Sequence, residues 1–555
     1  MRGTLFLFLC LFTINGFGQS SLPTNKAATQ ATKPASKAQA KRAAADERMM
    51  PSNWDGGFYV PSPDVEPDSN RGVYAIWTKD RDELLDLPFL KGGQAAEFWG
   101  NLESDEGIYD FSSLDQKLNE LAKRNLATTI QVNGNTKPTW LFKKCPYMPK
   151  QFGAQVQDTS GTLAYWHPVH QKAYLDFLKA FAEHIRNSPH RQRIIGVRMN
   201  FNARGTEGIG IPASMQVRDQ WIVPKGVEWV PYSAKSDGEY ESKIVDAFIK
   251  DFDGVTKVLV RGTVSGGFRE RYREQIDSGK LGWFYTGMTA KPPANPAVNF
   301  FLDCRSGKTV GYGEPYADSW GYHGNGKPRH DIPAAMVQYW RVLTDLHLGL
   351  SFIAVYGDDL GVALDGQHPK KGDQSQLKEP INETLRFAAK YAGYHASPRV
   401  SPGAWIAFRQ LRANDDRQKL WDAMCNDCTF LMKRLPGKTI ANKQTIGSPV
   451  ERYGMSSRVL PAGESMQLML DPLFAESIDG KSATLKIIYF DQNEGQLTVE
   501  CSGEKHTVIL GNSGQWKSAS FAIPKAEFSK SVQAHILLTA PEKNVTLHMV
   551  EVTRE

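Results

Sequence analysis

Residues 72–77 read GVYAIW, residues 94–100 read QAAEFWG, and residues 127–133 read ATTIQVN. Each is a strand-length run rich in apolar and β-branched side chains. Between the second and third lies 112–124, where Leu114, Leu118 and Leu121 recur at helical spacing. Strand, helix, strand without a tight hairpin turn is the pattern of a parallel sheet. The alternation continues with strands at 194–202, 257–262, 283–288, 308–313 and 350–356, and helices at 168–186, 241–252, 268–279, 331–347 and 382–393. Eight strands with helices between them predict an α/β fold, a (β/α)8 TIM barrel over residues 51–398 with enlarged loops. The link 289–307 is irregular and leaves room for an additional strand.

After residue 400 the alternation with helices stops. GAWIAFRQ, ESMQLMLD, ATLKIIYFD, GQLTVEC, HTVILG, WKSASFAI, QAHILLTA and NVTLHMVEV are strand-sized runs separated by turn residues. They predict an all-β sandwich over 399–555.

Upstream of the barrel, Met1-Arg2 and an apolar run from Leu5 to Ile14 followed by Gly16, Gly18 and Gln19 form a secretory signal pattern, assigned to 1–19. That run is too short to span a bilayer, and no later segment is long and apolar enough. Residues 20–50 are rich in Ala, Lys, Gln, Ser and Thr and read as a flexible tether. The expected location is therefore secreted or periplasmic. The 555-residue chain has a net charge of +6, but residues 1–50 hold seven Lys and Arg against two acidic residues, so five of those charges belong to the signal and tether. The remainder is nearly neutral and has no basic run interleaved with aromatics, which argues against nucleic acid. Without Cys10, five cysteines remain; Cys425 and Cys428 form a CxxC that lacks the companion ligands of a zinc site and reads as a disulfide or free thiols.

One segment carries a resemblance. Trp99-Gly-Asn-Leu-Glu103, then Gly107-Ile-Tyr109-Asp110-Phe111-Ser112-Ser-Leu-Asp115, resembles the W-x-x-x-E…G-x-Y/F-D-F-S/T…L-D stretch of retaining (β/α)8 glycoside hydrolases of the large beta-galactosidase, cellulase and agarase clan. In that clan it ends the second strand and caps the second helix, and Ser112 or Ser113 is a suitable N-cap here. The resemblance implies an acid/base at the end of the fourth strand and a nucleophile at the end of the seventh. Glu207, in Asn200-Phe-Asn202-Ala-Arg204-Gly-Thr206-Glu207-Gly208, and Glu314, in Gly311-Tyr312-Gly-Glu314-Pro-Tyr316, occupy those places. Retention requires the two carboxyl groups about 5–5.5 Å apart. The clan's acid/base follows an Asn, whereas Glu207 follows Thr206; Asn200 or Asn202 is expected to take over that Asn's hydrogen bond to the sugar. By position Tyr285 matches a tyrosine that steadies the nucleophile.

Other candidates follow from sugar chemistry. Trp99, Trp140, Trp320, Tyr312 and Tyr316 offer rings for pyranose faces, and Asn133 and Asn135 offer donors to hydroxyls. Arg198 and Arg204 either meet an anionic substituent or pair with a carboxylate. Asp358 and Asp359 end the eighth strand as a competing carboxylate pair, for an inverting enzyme, or cap the following helix. His167 and His170 begin a helix and lack the further ligands a metal needs. No phosphate cradle or G-x-S-x-G elbow is present. The expectation is an exported retaining glycosidase acting on a β-linked galactoside or galactan-like oligo- or polysaccharide, with no metal or organic cofactor. The alternative is a non-catalytic glycan-binding barrel with a sandwich. Residues 511–521 and 548–552 resemble jelly-roll accessory domains of exported polysaccharide enzymes, which bind glycan or brace the barrel.

Overall fold

The structure is a computed structural model and describes residues 62–79, 81–149, 161–261, 267–290, 298–322, 331–410, 426–442, 444–531 and 534–555. The signal and tether expectations, and Cys425, lie outside the described residues.

Eight parallel strands close into a barrel: β1 Gly72–Ile76, β2 Leu90–Phe98, β3 Ala127–Asn133, β4 Ile194–Arg198, β5 Val258–Arg261, β6 Leu281–Met288, β7 Gly311–Pro315 and β8 Phe352–Tyr356. Closure is made by β1, which pairs with both β2 and β8. All eight fall on the runs read from sequence, with ends shifted by up to four residues. Strands buried on both faces carry continuous apolar runs, which is why they read clearly. The barrel interior is filled by Tyr74, Ala127, Ile195, Leu259, Phe284, Tyr312, Phe352 and Ala354. Tyr74 meets Phe352 edge-on at 5.5 Å between ring centroids. A Cβ at Gly92 would sit 2.2 Å from the Tyr74 ring, so this inward position is left bare to admit it.

The surrounding helices are α1 Ser112–Lys123, α2 Pro168–Asn187, α3 Ala234–Asp251, two short turns at Phe268–Arg271 and Arg273–Asp277, α4 Val298–Arg305, α5 Ala334–His347, α6 Gly357–Asp365 and α7 Lys378–Tyr391. Three expectations change. The 289–307 link contributes a helix, α4, and no strand among its described residues. The expected helix 268–279 is broken at Tyr272. Neither Ser112 nor Ser113 caps α1; the Asp110 carboxylate accepts the Ser112 amide at 2.9 Å instead, because the helix begins at Ser112 itself.

Beyond Gly403 the described residues form a seven-stranded and a five-stranded antiparallel sheet. The described residues form one compact unit, and one apolar core runs from Val73, Leu343 and Leu385 into Trp405, Phe430 and Leu547. Polar contacts join the layers too: Tyr339 with His548 at 3.0 Å, and Arg409 donating to the Ala290 carbonyl and to Thr344, both at 2.9 Å. The sheets therefore brace α5 and α7, which back β7, β8 and β1.

Within that interface Asp345 of α5 pairs with Arg341 at 2.7 Å. Burial pushes its carboxyl up to about 7 against the opposing pull of Arg341. A carboxyl raised in the folded state adds stability below the ordinary carboxylate range and loses it as pH rises through the folded value. Thermal melting is therefore expected at a lower temperature near about pH 8 than near about pH 5. Asp345→Asn should flatten this slope; an unchanged slope in the variant would contradict the assignment.

Candidate active site

Arg198, the last residue of β4, sits at the barrel mouth, where its guanidinium lies 4.3 Å from the Phe284 ring centroid. It is 1% exposed. A buried guanidinium requires anionic partners, and the strand ends supply two. Nη1 donates to Glu314 Oε2 at 2.6 Å, and Nη2 donates to Glu207 Oε1 at 3.0 Å. Glu314 and Glu207, 107 residues apart in sequence, thus share one cation. Their nearest oxygens are separated by no more than two hydrogen bonds and the width of a guanidinium.

Polar neighbours complete the arrangement. Gln131 of β3 accepts from Arg198 Nη1 and from Gln94 of β2, the latter at 2.9 Å. Gln131 in turn donates to Asn133. Arg261, at the end of β5, forms a close ion pair with Glu207 and donates to Thr286 Oγ1 at 3.3 Å. Burial raises the Glu314 carboxyl above its ordinary value; Arg198 opposes that and Glu207 adds to it, with the Trp77 indole giving a further lowering hydrogen bond. Burial disfavours the Arg198 cation, yet Glu314 and Glu207 hold its pKa above the ordinary value. Trp77 itself has φ 52°, a left-handed backbone that is costly for a tryptophan.

The remaining sequence candidates divide. Asn133 joins the network just described. The Asn200 amide donates to the Val132 carbonyl at 2.8 Å and holds the β4 loop on β3. Asn202 is fully buried with φ 45°, so it turns the loop. Asp358 lies in the first turn of α6 and pairs with Lys79 at 2.8 Å. Trp320 is partly buried with its ring 4.4 Å from His368, and Tyr316 is 43% exposed beside Glu314. Three aromatic expectations need correction. Trp99 is fully buried against Tyr174 and Phe177, its indole donating to Glu103 at 2.7 Å; the W-x-x-x-E motif is a packing pair. Tyr312 fills the barrel interior, and Trp140 is buried in the outer core. None of these three offers an open face. Tyr285 also departs from expectation: it packs on Phe301 in the outer layer, on the opposite face of β6 from Phe284. Arg198, Arg261 and Gln131 are the residues whose joint role sequence reasoning missed. Their signal was polar side chains within otherwise apolar strands.

Asp318, Asp358 and His368 bring ligand-type atoms within 4.8 Å of one another. His368 Nδ1, however, accepts the amides of Lys370 and Lys371 at 3.1 and 3.2 Å. The proton therefore resides on Nε2, which faces Asp318 at 3.4 Å. A protonated Nε2 is a donor and not a metal ligand.

Against this geometry the comparisons can be set. A family model described as beta-galactosidase matches residues 79–200, the segment that carries β2, β3, β4 and the Trp99–Asp115 motif. Beta-galactosidase BgaA of Clostridium cellulovorans is 36% identical over 72 residues, 13% of this chain and 11% of that protein. Beta-galactosidase BbgII of Bifidobacterium bifidum is 24% identical over 140 residues, 25% of this chain and 19% of that protein. The chain thus spans less than a fifth of the length of the curated relatives it matches. Among solved structures, the catalytic domain of a beta-amylase from Paenibacillus polymyxa aligns over 57% of this chain and 100% of that chain, with TM-score 0.36 and 11% identity. A beta-galactosidase from Rahnella sp. R3 aligns over 60% of this chain and 58% of that chain, with TM-score 0.35 and 10% identity.

Removing Arg198 leaves two buried carboxylates without their common cation. Arg198→Met is expected to cost about 3–5 kcal/mol of stability, read as a lowered denaturation midpoint. Adding Glu314→Gln to that variant should restore part of the loss. An Arg198→Met protein as stable as the wild type would refute the bridge.

Proposed function

We propose that the protein is a glycoside hydrolase that cleaves a β-linked galactoside or galactan-like polysaccharide with retention of configuration. The observation that carries the reading is the Glu207–Arg198–Glu314 bridge at the C-terminal mouth of the barrel, where (β/α)8 enzymes place their chemistry. The match of residues 79–200 to the beta-galactosidase model supports the substrate class.

In this mechanism Glu207 takes up a proton from solvent as the glycoside binds, leaving Glu314 as the anionic partner of Arg198. Glu314 then attacks the anomeric carbon and forms a glycosyl ester while Glu207 protonates the departing oxygen. Glu207 then takes a proton from the water that hydrolyses the ester. Arg198 stabilises the ionised nucleophile that burial disfavours. When the ester forms, Glu314 loses its charge and Arg198 keeps Glu207 as its remaining anionic partner. Arg261 and Arg198 together hold the Glu207 carboxyl from two sides. Tyr316 and Trp320, which follow β7 in the chain, are the rings this reading assigns to stacking on sugar, and Asn133 lies in the polar network around Gln131. Export through the N-terminal segment completes the proposal and suits a polymeric substrate that stays outside the cell.

Incubation with aryl β-galactosides and galactan oligosaccharides, followed by NMR of the first-formed product, should give the β anomer. Glu314→Gly should abolish turnover, and Glu207→Gln should lower it by roughly 10²–10⁴-fold on substrates with poor leaving groups. Full activity in both variants would overturn the assignment. A wild type that binds a glycan but hydrolyses none in a broad panel would make it a binding protein. Because Glu314 must be ionised to attack and its carboxyl is raised by burial, the acid limb of kcat/KM should lie above the ordinary carboxylate range.

A further inference from the structure

The loop that carries Glu207 is held from the side by a buried cation. Lys137, in the segment after β3, is 4% exposed. Its ammonium donates to the Gly134 carbonyl of its own loop and to the Gly205 carbonyl of the β4 loop, the latter at 3.4 Å. Gly205 is two residues before Glu207 and adopts φ 70°. The intervening Thr206 is 3% exposed, and its hydroxyl donates to Asn135 and accepts the Gly134 amide at 3.2 Å.

The two loops touch so closely that a Cβ at Gly134 would lie 2.5 Å from Asn202 Oδ1. Within the β4 loop the Asn202 amide donates to the Thr206 carbonyl and the Arg204 amide to the Gly208 carbonyl, both at 2.9 Å. These bonds make Asn202–Gly208 a tight turn with Glu207 near its end. The β2 end joins as well, through the Gly100 amide donating to the Thr136 carbonyl at 2.9 Å. Three loops are thus laced together beside Glu207, and Lys137 is the charged group at the join. The same charge reaches the neighbouring core: burial first, then Lys137, pushes the His170 imidazole well below its ordinary range.

We propose that Lys137 is a positioning residue for Glu207, fixing the Gly205–Thr206–Glu207 backbone so that the carboxyl stays at the barrel mouth beside Arg198 and Arg261. Thr206 is the second anchor, and occupies the position where the resembling clan has Asn. The inference rests on the acid/base role of Glu207. Misplacing a catalytic group by about 1 Å costs on the order of 10²-fold in rate, so a backbone clamp has a kinetic signature.

The test compares the wild type with Lys137→Met, which keeps the length and removes the donors, and Lys137→Arg, which keeps the donors. Two substrates are used: methyl β-galactoside, whose departure needs protonation, and dinitrophenyl β-galactoside, whose departure does not. Lys137→Met should lose roughly 10²-fold in kcat on the methyl glycoside with little change in KM, and should largely keep the rate of dinitrophenol release in the pre-steady state. Lys137→Arg should recover part of the loss. Equal losses on both substrates in a folded variant, or no loss on either, would overturn the proposal. Hydrogen exchange of the 200–208 amides is a readout independent of activity. It should quicken in Lys137→Met while the melting temperature of the whole protein is held; unchanged protection there would also overturn the clamp. If the wild type cleaves neither glycoside, the glycosidase reading fails, and the exchange result alone decides whether Lys137 locks the loop.

Discussion

A guanidinium closed off from water at the mouth of a barrel is stable only while its anions are in place, and those anions are stable only while it is. Arg198 therefore ties the end of β4 to the end of β7 and to the loop beyond β4 in one mutual dependence. Desolvating three charges costs several kcal/mol each, and their mutual attraction offsets this only when the geometry is tight and the remaining donors are satisfied. Gln131 and Arg261 provide that satisfaction from β3 and β5. The polar cluster thus constrains four strand ends together, and the spacing of the two carboxylates follows from the size of one planar group.

The fold prepares this arrangement from below and behind. Gly92 and Gly196 leave room on inward positions, the first for Tyr74 and the second for Leu259, so that the aromatic floor can fill the barrel beneath Arg198. Phe284, part of that floor, gives the guanidinium a face to lie on. Behind β7, Gly313 admits Leu350 and approaches Asp345 of α5, and α5 is itself packed against the antiparallel sheets. A sandwich that shares its core with α5 and α7 stiffens the strand that presents Glu314. Bracing is thus a sufficient role for this region.

Much of this was legible in the chain, for identifiable reasons. Parallel strands buried on both faces read as uninterrupted apolar runs, so all eight barrel strands were found, and the glutamates near the ends of β4 and β7 were found with them. Helices gave way where propensity met local breaks: Tyr272 splits one, and the Pro-rich link before α4 concealed another. Side-chain direction was the weaker inference. Tyr312 and Trp99 look like sugar platforms in a one-dimensional reading, yet strand alternation sends Tyr312 into the barrel and the Glu103 hydrogen bond draws Trp99 into the outer core. Tyr285 lost its expected role by one step of the same alternation, since Thr286 and not Tyr285 shares the face of Phe284. Arg198 was weighed as either a substrate contact or a carboxylate partner. The second reading holds twice over, but two carboxylates converging on one arginine is a three-dimensional fact that no spacing in the chain encodes.

The account stands most directly on which carboxylate becomes covalently attached to sugar. A 2-deoxy-2-fluoro β-galactoside with a good leaving group slows breakdown of a glycosyl ester, so the labelled peptide can be located by mass spectrometry after digestion. The label is predicted on Glu314, with Arg198→Met reducing the rate of its formation. A label on Asp358, Asp359 or Glu207, or hydrolysis of a natural galactoside with inversion and no label, would contradict the account.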